Sequence, residues 1–96
     1  MNYQLTPEAE QDLRDIWLYT CSTWGVKKAN DYLEQLQICF TRLCEHPELG
    51  KRRDEVRPGY RSLPQKQHIV FYRDNEQQIE VIRVLHGRMD LDGQFQ

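Results

Sequence analysis

Cysteine is scarce in this 96-residue chain, and its count is odd: Cys21, Cys39 and Cys44, with no pair at CxxC spacing. Neither a disulfide framework nor a zinc site fits that arrangement, and no metal is expected. Cys39 and Cys44 read instead as small apolar helix residues. No apolar run approaches the roughly 20 residues of a membrane span. The opening MNYQLTPEAEQDL lacks the basic and apolar regions of a signal peptide, so the cytoplasm is the expected location. A phosphate loop, a catalytic triad, a metal cluster and a dinucleotide fingerprint are all missing, so no cofactor is expected. Repeats, low-complexity tracts and long linkers are also absent. The length suits one small domain over residues 1–96, whose modest core a bound partner would stabilise noticeably.

The net charge is near −2, which hides an asymmetry. Residues 1–48 carry eight acids and four Lys/Arg, and residues 49–96 seven acids and nine Lys/Arg. The stretch from Lys51 to Arg73 holds seven Lys/Arg against Asp54 and Glu55. Such an excess suits an acidic partner or a nucleic acid, and equally an ordinary solvated loop.

Asn2 to Leu5 reads as a short strand. Thr6-Pro7-Glu8-Ala9-Glu10 then starts a helix: Thr6 caps, Pro7 fits the first turn, and the two acids favour the positive helix end. Ala9, Leu13, Ile16, Trp17, Thr20 and Trp24 fall at helical spacing, which puts both tryptophans in the core. Gly25 breaks the helix. A second helix runs from about Lys27 to His46, with Ala29, Tyr32, Leu33, Leu36, Phe40, Leu43 and Cys44 on its apolar face. His46-Pro47 ends it. Two helices joined by a short turn make an antiparallel hairpin.

Pro47 to Gly59 is loop-like. Tyr60–Pro64, His68–Arg73 and Gln78–Leu85 read as strands, the last most strongly. The order β-α-α-β-β-β predicts an α+β domain with the hairpin on one face of a mainly antiparallel sheet. Strict alternation in the last strand puts Ile79, Val81, Arg83 and Leu85 on one face and Ile82, Val84 and His86 on the other. Apolar residues on both faces imply a central strand.

Arg83, among apolar neighbours, needs a carboxylate partner or an interface. His86 ends the last strand, where it either bonds backbone or acts near neutral pH. Arg88 and Asp90 pair with each other or fix the tail, and either could touch a target. Arg52, Arg53, Arg57 and Arg61 make a candidate basic face, since the guanidinium fork suits carboxylate or phosphate. His46 and His68 read as structural or exposed.

Several strings resemble ParE-type toxins of the RelE/ParE superfamily: A-E-Q-D-L-R-D-I at 9–16, Gly25 between the helices, L-x-x-x-P-x-L-G-K-R-R-D-E at 43–55, R-P-G-Y-R-S at 57–62, H-I-V-F-Y-R at 68–73 and I-R-V-L-H-G-R-M-D at 82–90. Together they cover nearly the whole chain. The resemblance implies a bacterial type II toxin that inhibits DNA gyrase without catalysis and is neutralised by a ParD-like antitoxin, through which alone DNA contact is expected. The antitoxin's flexible segment would order on binding, as a helix in a groove and an added strand. Target and antitoxin surfaces would draw on Arg52, Arg53, Arg57, Arg61, Arg83, His86, Arg88 and Asp90. The superfamily also contains ribosome-dependent mRNA endonucleases of the RelE type. Such an enzyme needs a base for the ribose 2′-hydroxyl, a cation for the phosphate and an acid for the leaving oxygen. Arg61, Arg83, His86 and Arg88 would be its parts here. The tail MDLDGQFQ supplies no Tyr, Lys or His, which favours the non-nucleolytic alternative. A third possibility is a toxin-like binding module that leaves growth untouched.

Overall fold

The computed structural model describes residues 1–88 and 91–95. Strand β1 (Asn2–Leu5) leads through Thr6 into helix α1 (Pro7–Trp24). Thr6 Oγ1 accepts the Ala9 amide at 3.0 Å and donates to the Ile82 carbonyl at 2.7 Å. The cap thus starts the helix and ties its first turn to the sheet. Gly25 has φ +97°, a conformation that disfavours a Cβ. Its N–H bonds the Cys21 carbonyl, and its own carbonyl accepts the Ala29 amide. One residue therefore closes α1 and opens α2 (Val26–Glu45), giving the expected hairpin.

A 3-10 turn (Pro47–Leu49) precedes β2 (Lys51–Arg52), β3 (Tyr60–Gln65), β4 (His68–Asp74), β5 (Gln78–His86) and α3 (Leu91–Gln94). The sheet order is β1-β5-β4-β3-β2. β1 pairs with β5 in parallel, and the remaining pairs are antiparallel. This is the expected α+β arrangement, with β5 interior to the sheet. β2 lies in a segment read as loop. Two charged residues carry no strand signal, and β3 supplies the pairing. Lys51 and Arg52 also place charge on that edge, which discourages further strands.

The helices cover one sheet face. Ala9 and Ile16 of α1 and Leu36, Cys39, Phe40 and Leu43 of α2 pack with Val70, Tyr72, Ile79, Val81 and Val84. Here the strict alternation read for β5 needs correction. The β4–β5 register steps from Tyr72↔Val81 to Phe71↔Arg83, leaving Ile82 as a bulge. One extra residue reverses which side chains face the helices. Val84, rather than Arg83, therefore joins Ile79 and Val81 in the helix-side core. Phe71 and Leu85 are fully buried yet outside that cluster, on the opposite face.

Trp24 also differs from the sequence reading: it is 68% exposed. Trp24 is the last residue of α1, next to the Gly25 turn, and correct helical phase brings no burial there. Trp17 is half-buried, and its indole N–H donates to Asn30 Oδ1 across the hairpin at 2.9 Å.

Gly50 shows how the sharp turn after α2 is locked. Its N–H donates to the Tyr72 hydroxyl at 2.7 Å, and that hydroxyl donates to the Pro47 carbonyl, also at 2.7 Å. A Cβ on Gly50 would lie 2.6 Å from the Tyr72 ring and hydroxyl and 2.9 Å from the Ser62 carbonyl. Gly50→Ala should therefore lower stability by about 2 kcal/mol, through overpacking and loss of the tyrosine bridge. A denaturant midpoint unchanged from the parent would overturn this account.

Candidate functional site

The loop between β2 and β3 is held by its own charges. Asp54 Oδ1 accepts the Gly59 amide at 2.9 Å, and its other oxygen takes Arg52. The Gly59 amide, helped by the Arg52 charge, lowers the Asp54 pKa from its usual value. Arg53 pairs with Glu55 at 2.8 Å and donates to Ser62 Oγ at 3.2 Å. Its guanidinium carbon lies 5.4 Å from the centre of the Phe71 ring.

That ring belongs to the sheet face away from the helices, and the C-terminal segment lies on it. The Phe95 ring meets Phe71 edge-to-face at 4.9 Å and Tyr60 at 5.9 Å. Arg57 donates to the Phe95 carbonyl, and Arg83 to the Gln94 carbonyl at 3.2 Å. The basic loop and the tail therefore form one continuous surface.

Arg83 also has the carboxylate partner its position demanded. Nε and Nη2 donate to the two oxygens of Asp12 at 2.7 and 2.8 Å. Asp12 further accepts the Val84 amide at 3.0 Å. β1 ends at Leu5, opposite Val81, so the β5 amide beyond it has no strand partner on that side. Asp12 replaces the missing strand. Its hydrogen bonds raise the Arg83 pKa, and burial opposes them.

On the helix side a cleft of about 760 Å³ opens between the hairpin and the ends of β4 and β5. Tyr19, Trp24, Tyr32, Lys66, His68 and His86 are among its walls. His68 and His86 are direct cross-strand neighbours, with ring centres 5.5 Å apart. The Tyr32 hydroxyl lies 2.6 Å from His68 Nδ1, and the Arg88 amide donates to His86 Nδ1 at 3.2 Å. Among the described residues, no three His, Cys, Asp or Glu side chains are grouped to hold a metal.

Burial lowers the His68 pKa, and the neighbouring His86 adds to this, while Asp12 opposes it. The folded protein then binds fewer protons here than the unfolded chain. This contribution to stability is flat above the unfolded value of about 6.5 and falls as pH drops through it towards the folded value. Urea midpoints between pH 7.5 and 5 should decline less steeply in His68→Gln than in the parent. Parallel slopes would exclude His68 as the source.

Of the residues expected from sequence, Arg53, Arg57 and Arg83 converge on the tail and its seat. Arg52 pairs with Asp54 at the exposed edge. Half-buried Arg61 donates to the Gly50 carbonyl at 2.8 Å. His86 faces the helix-side cleft, Arg88 is exposed, and Asp90 lies outside the described residues. Arg61 stands opposite Tyr72 and His86 opposite His68, four residues apart along β4. That is roughly 13 Å at strand rise, so the proposed nuclease set is spread across the sheet. Sequence reasoning missed Asp12, although it adjoins Leu13 on the inner side of α1. It also missed Phe95, the one aromatic residue of the tail, and the Tyr32–His68 contact.

The architecture is RelE/ParE-like. A chain from the chromosomal ParDE TA system of P. aeruginosa superposes with TM-score 0.77 at 22% identity, over 90% of this chain and 95% of that one. Residues 3–91 match the family described as ParE toxin of type II toxin-antitoxin system, parDE. Toxin ParE1 of Mycobacterium tuberculosis is 46% identical over 91 residues, covering 94% of this chain and 93% of the relative. Toxin ParE1 of Caulobacter vibrioides is 42% identical over 88 residues, covering 92% and 91%. The chain belongs to the ParE toxin family, the toxin half of type II toxin–antitoxin systems. Among the described residues no helix is long and apolar enough to cross a membrane.

Proposed function

We propose that this toxin arrests growth by binding DNA gyrase in the cytoplasm and blocking its turnover, without catalytic groups of its own. The whole chain acts as one toxin domain. Its target surface combines the arginine-bearing loop, centred on Arg53 and Arg57, with the C-terminal segment. The observation that carries this reading is the continuity of loop and tail, through Arg57 on the Phe95 carbonyl and Phe95 on Phe71 and Tyr60.

A ParD-like antitoxin neutralises the toxin. The helix-side cleft, with exposed Tyr19 and Trp24 beside it, suits an amphipathic segment that orders on binding. Ordering such a segment costs free energy, which burial of these large aromatic surfaces offsets.

The test is supercoiling of relaxed plasmid by gyrase, titrated with antitoxin-free protein of verified fold. Dose-dependent inhibition, relieved by the cognate antitoxin, is expected. Unchanged supercoiling at large excess would remove gyrase as the target. Cleaved transcripts in arrested cells, lost on His86→Ala or Arg61→Ala at unchanged stability, would then establish the ribosome-dependent nuclease instead.

A further inference from the structure

The sheet face away from the helices has an occupant whose chemistry can be read directly. The seat is built from Phe71 and Tyr60, with Arg53 beside the Phe71 ring, and from Arg57 and Arg83, which hold main-chain carbonyls of the tail. Its ligand is therefore an aromatic side chain on a stretch of peptide. We propose that this seat is a docking site for an acidic segment of the target protein carrying one aromatic anchor, and that Phe95 is its resident competitor. The inference rests on reading loop and tail as the target surface.

Charge favours exchange. Arg52, Arg53, Arg73 and Arg83 each engage a carboxylate within the chain. Among the described residues, Arg57 instead donates to two neutral carbonyls, those of Val56 and Phe95. A carboxylate adds charge attraction and a two-pronged fit to the guanidinium fork, neither of which a single neutral carbonyl offers. A segment with an acid next to its aromatic residue would fill the ring site as Phe95 does and give Arg57 the stronger partner. Arg57 is exposed, so the exchange requires no rearrangement of the loop. The tail, once displaced, is free to make contacts of its own.

The experiment uses the antitoxin-free chain, its truncation after Arg88, and the Phe95→Ala variant, which opens the seat without shortening the chain. The probe is acetyl-Asp-Phe-Asp-amide, with acetyl-Lys-Phe-Lys-amide as control, followed by NMR shifts of the Phe71 and Tyr60 rings and the Arg57 side chain. The acidic peptide should bind the truncation and Phe95→Ala roughly tenfold more tightly than the parent, because the competitor is gone. Arg57→Gln in the truncated chain should abolish the preference over the basic peptide. Equal affinity for open and closed chains, or no shift of Phe71 in either open chain, would overturn the proposal. Gyrase added to the full-length toxin should move the Phe95 ring signals. Displacement by antitoxin but not by gyrase would also overturn it, since the seat would then serve a different partner. The supercoiling assay reads the gyrase assignment separately from the peptide titration.

Discussion

Truncation after Leu85 should abolish growth arrest. That cut removes the ring and carbonyl contacts that place the C-terminal segment on the sheet. It also removes His86, the cross-strand partner of His68, and so shortens the helix-side cleft. Both candidate surfaces are altered at once, which makes this the largest functional effect expected. A second truncation after Arg88 keeps all of β5 and isolates the tail. It uncovers Phe71, which is fully buried in the intact protein. Some loss of stability therefore accompanies it, so circular dichroism and size-exclusion profiles must show a folded, monodisperse chain before toxicity is compared. Arrest by a folded Arg88 truncation would show that the tail makes no target contact of its own and leave the loop and the opened Phe71 seat as the target surface.

Asp12→Ala should be the most destabilising single substitution of a polar residue. The Asp12 and Arg83 side chains are only 11% and 18% exposed. Removing the carboxylate leaves the Arg83 guanidinium without its partner and the Val84 amide without an acceptor. Breaking one side of such a pair costs about 3 kcal/mol or more. For a domain of this length that corresponds to roughly 12 °C or more in Tm. Removing both charges in Asp12→Ala/Arg83→Met should recover part of the loss, because no uncompensated charge remains. The readout is thermal unfolding of the two single variants and the double variant. Equal, additive losses would show that the pair contributes no coupling. Arg83→Met should additionally loosen the tail, since the Arg83 bond to the Gln94 carbonyl goes with it.

Local patterns were a good guide to the elements and a poor one to the surfaces. The Thr6 cap, the Gly25 break, the helical faces and the three long strands all follow from spacing and capping chemistry between near neighbours. Trp24 is instructive: its phase matches Ile16 and Thr20, but it lies exposed on the wall of the open cleft, and phase alone cannot report that. β2 is the converse, two charged residues made into a strand by the neighbour they pair with. The Ile82 bulge is a third kind of case. A single unpaired residue reverses the faces of β5, and no alternation rule registers it.

The candidate site follows the same division. Arg83 was legible as an arginine in need of a partner, because burying an unpaired guanidinium is costly wherever it occurs. Which carboxylate answers it was not, since Asp12 lies 71 residues earlier in the chain. The family resemblance linked the strings at 9–16 and 82–90 only as a list; this ion pair is the physical contact between them. The basic character of the loop was likewise readable, but not that its arginines are mostly neutralised by Asp54 and Glu55 or turned towards the tail. The sequence by itself determined helices, strands, caps and the apolar stripe of each helix, because those depend on interactions a few residues apart. Only the tertiary structure decided sheet order, the reversed face of β5, the Asp12–Arg83 pair and the seat of Phe95, because each depends on which distant segments the shared core brings into contact.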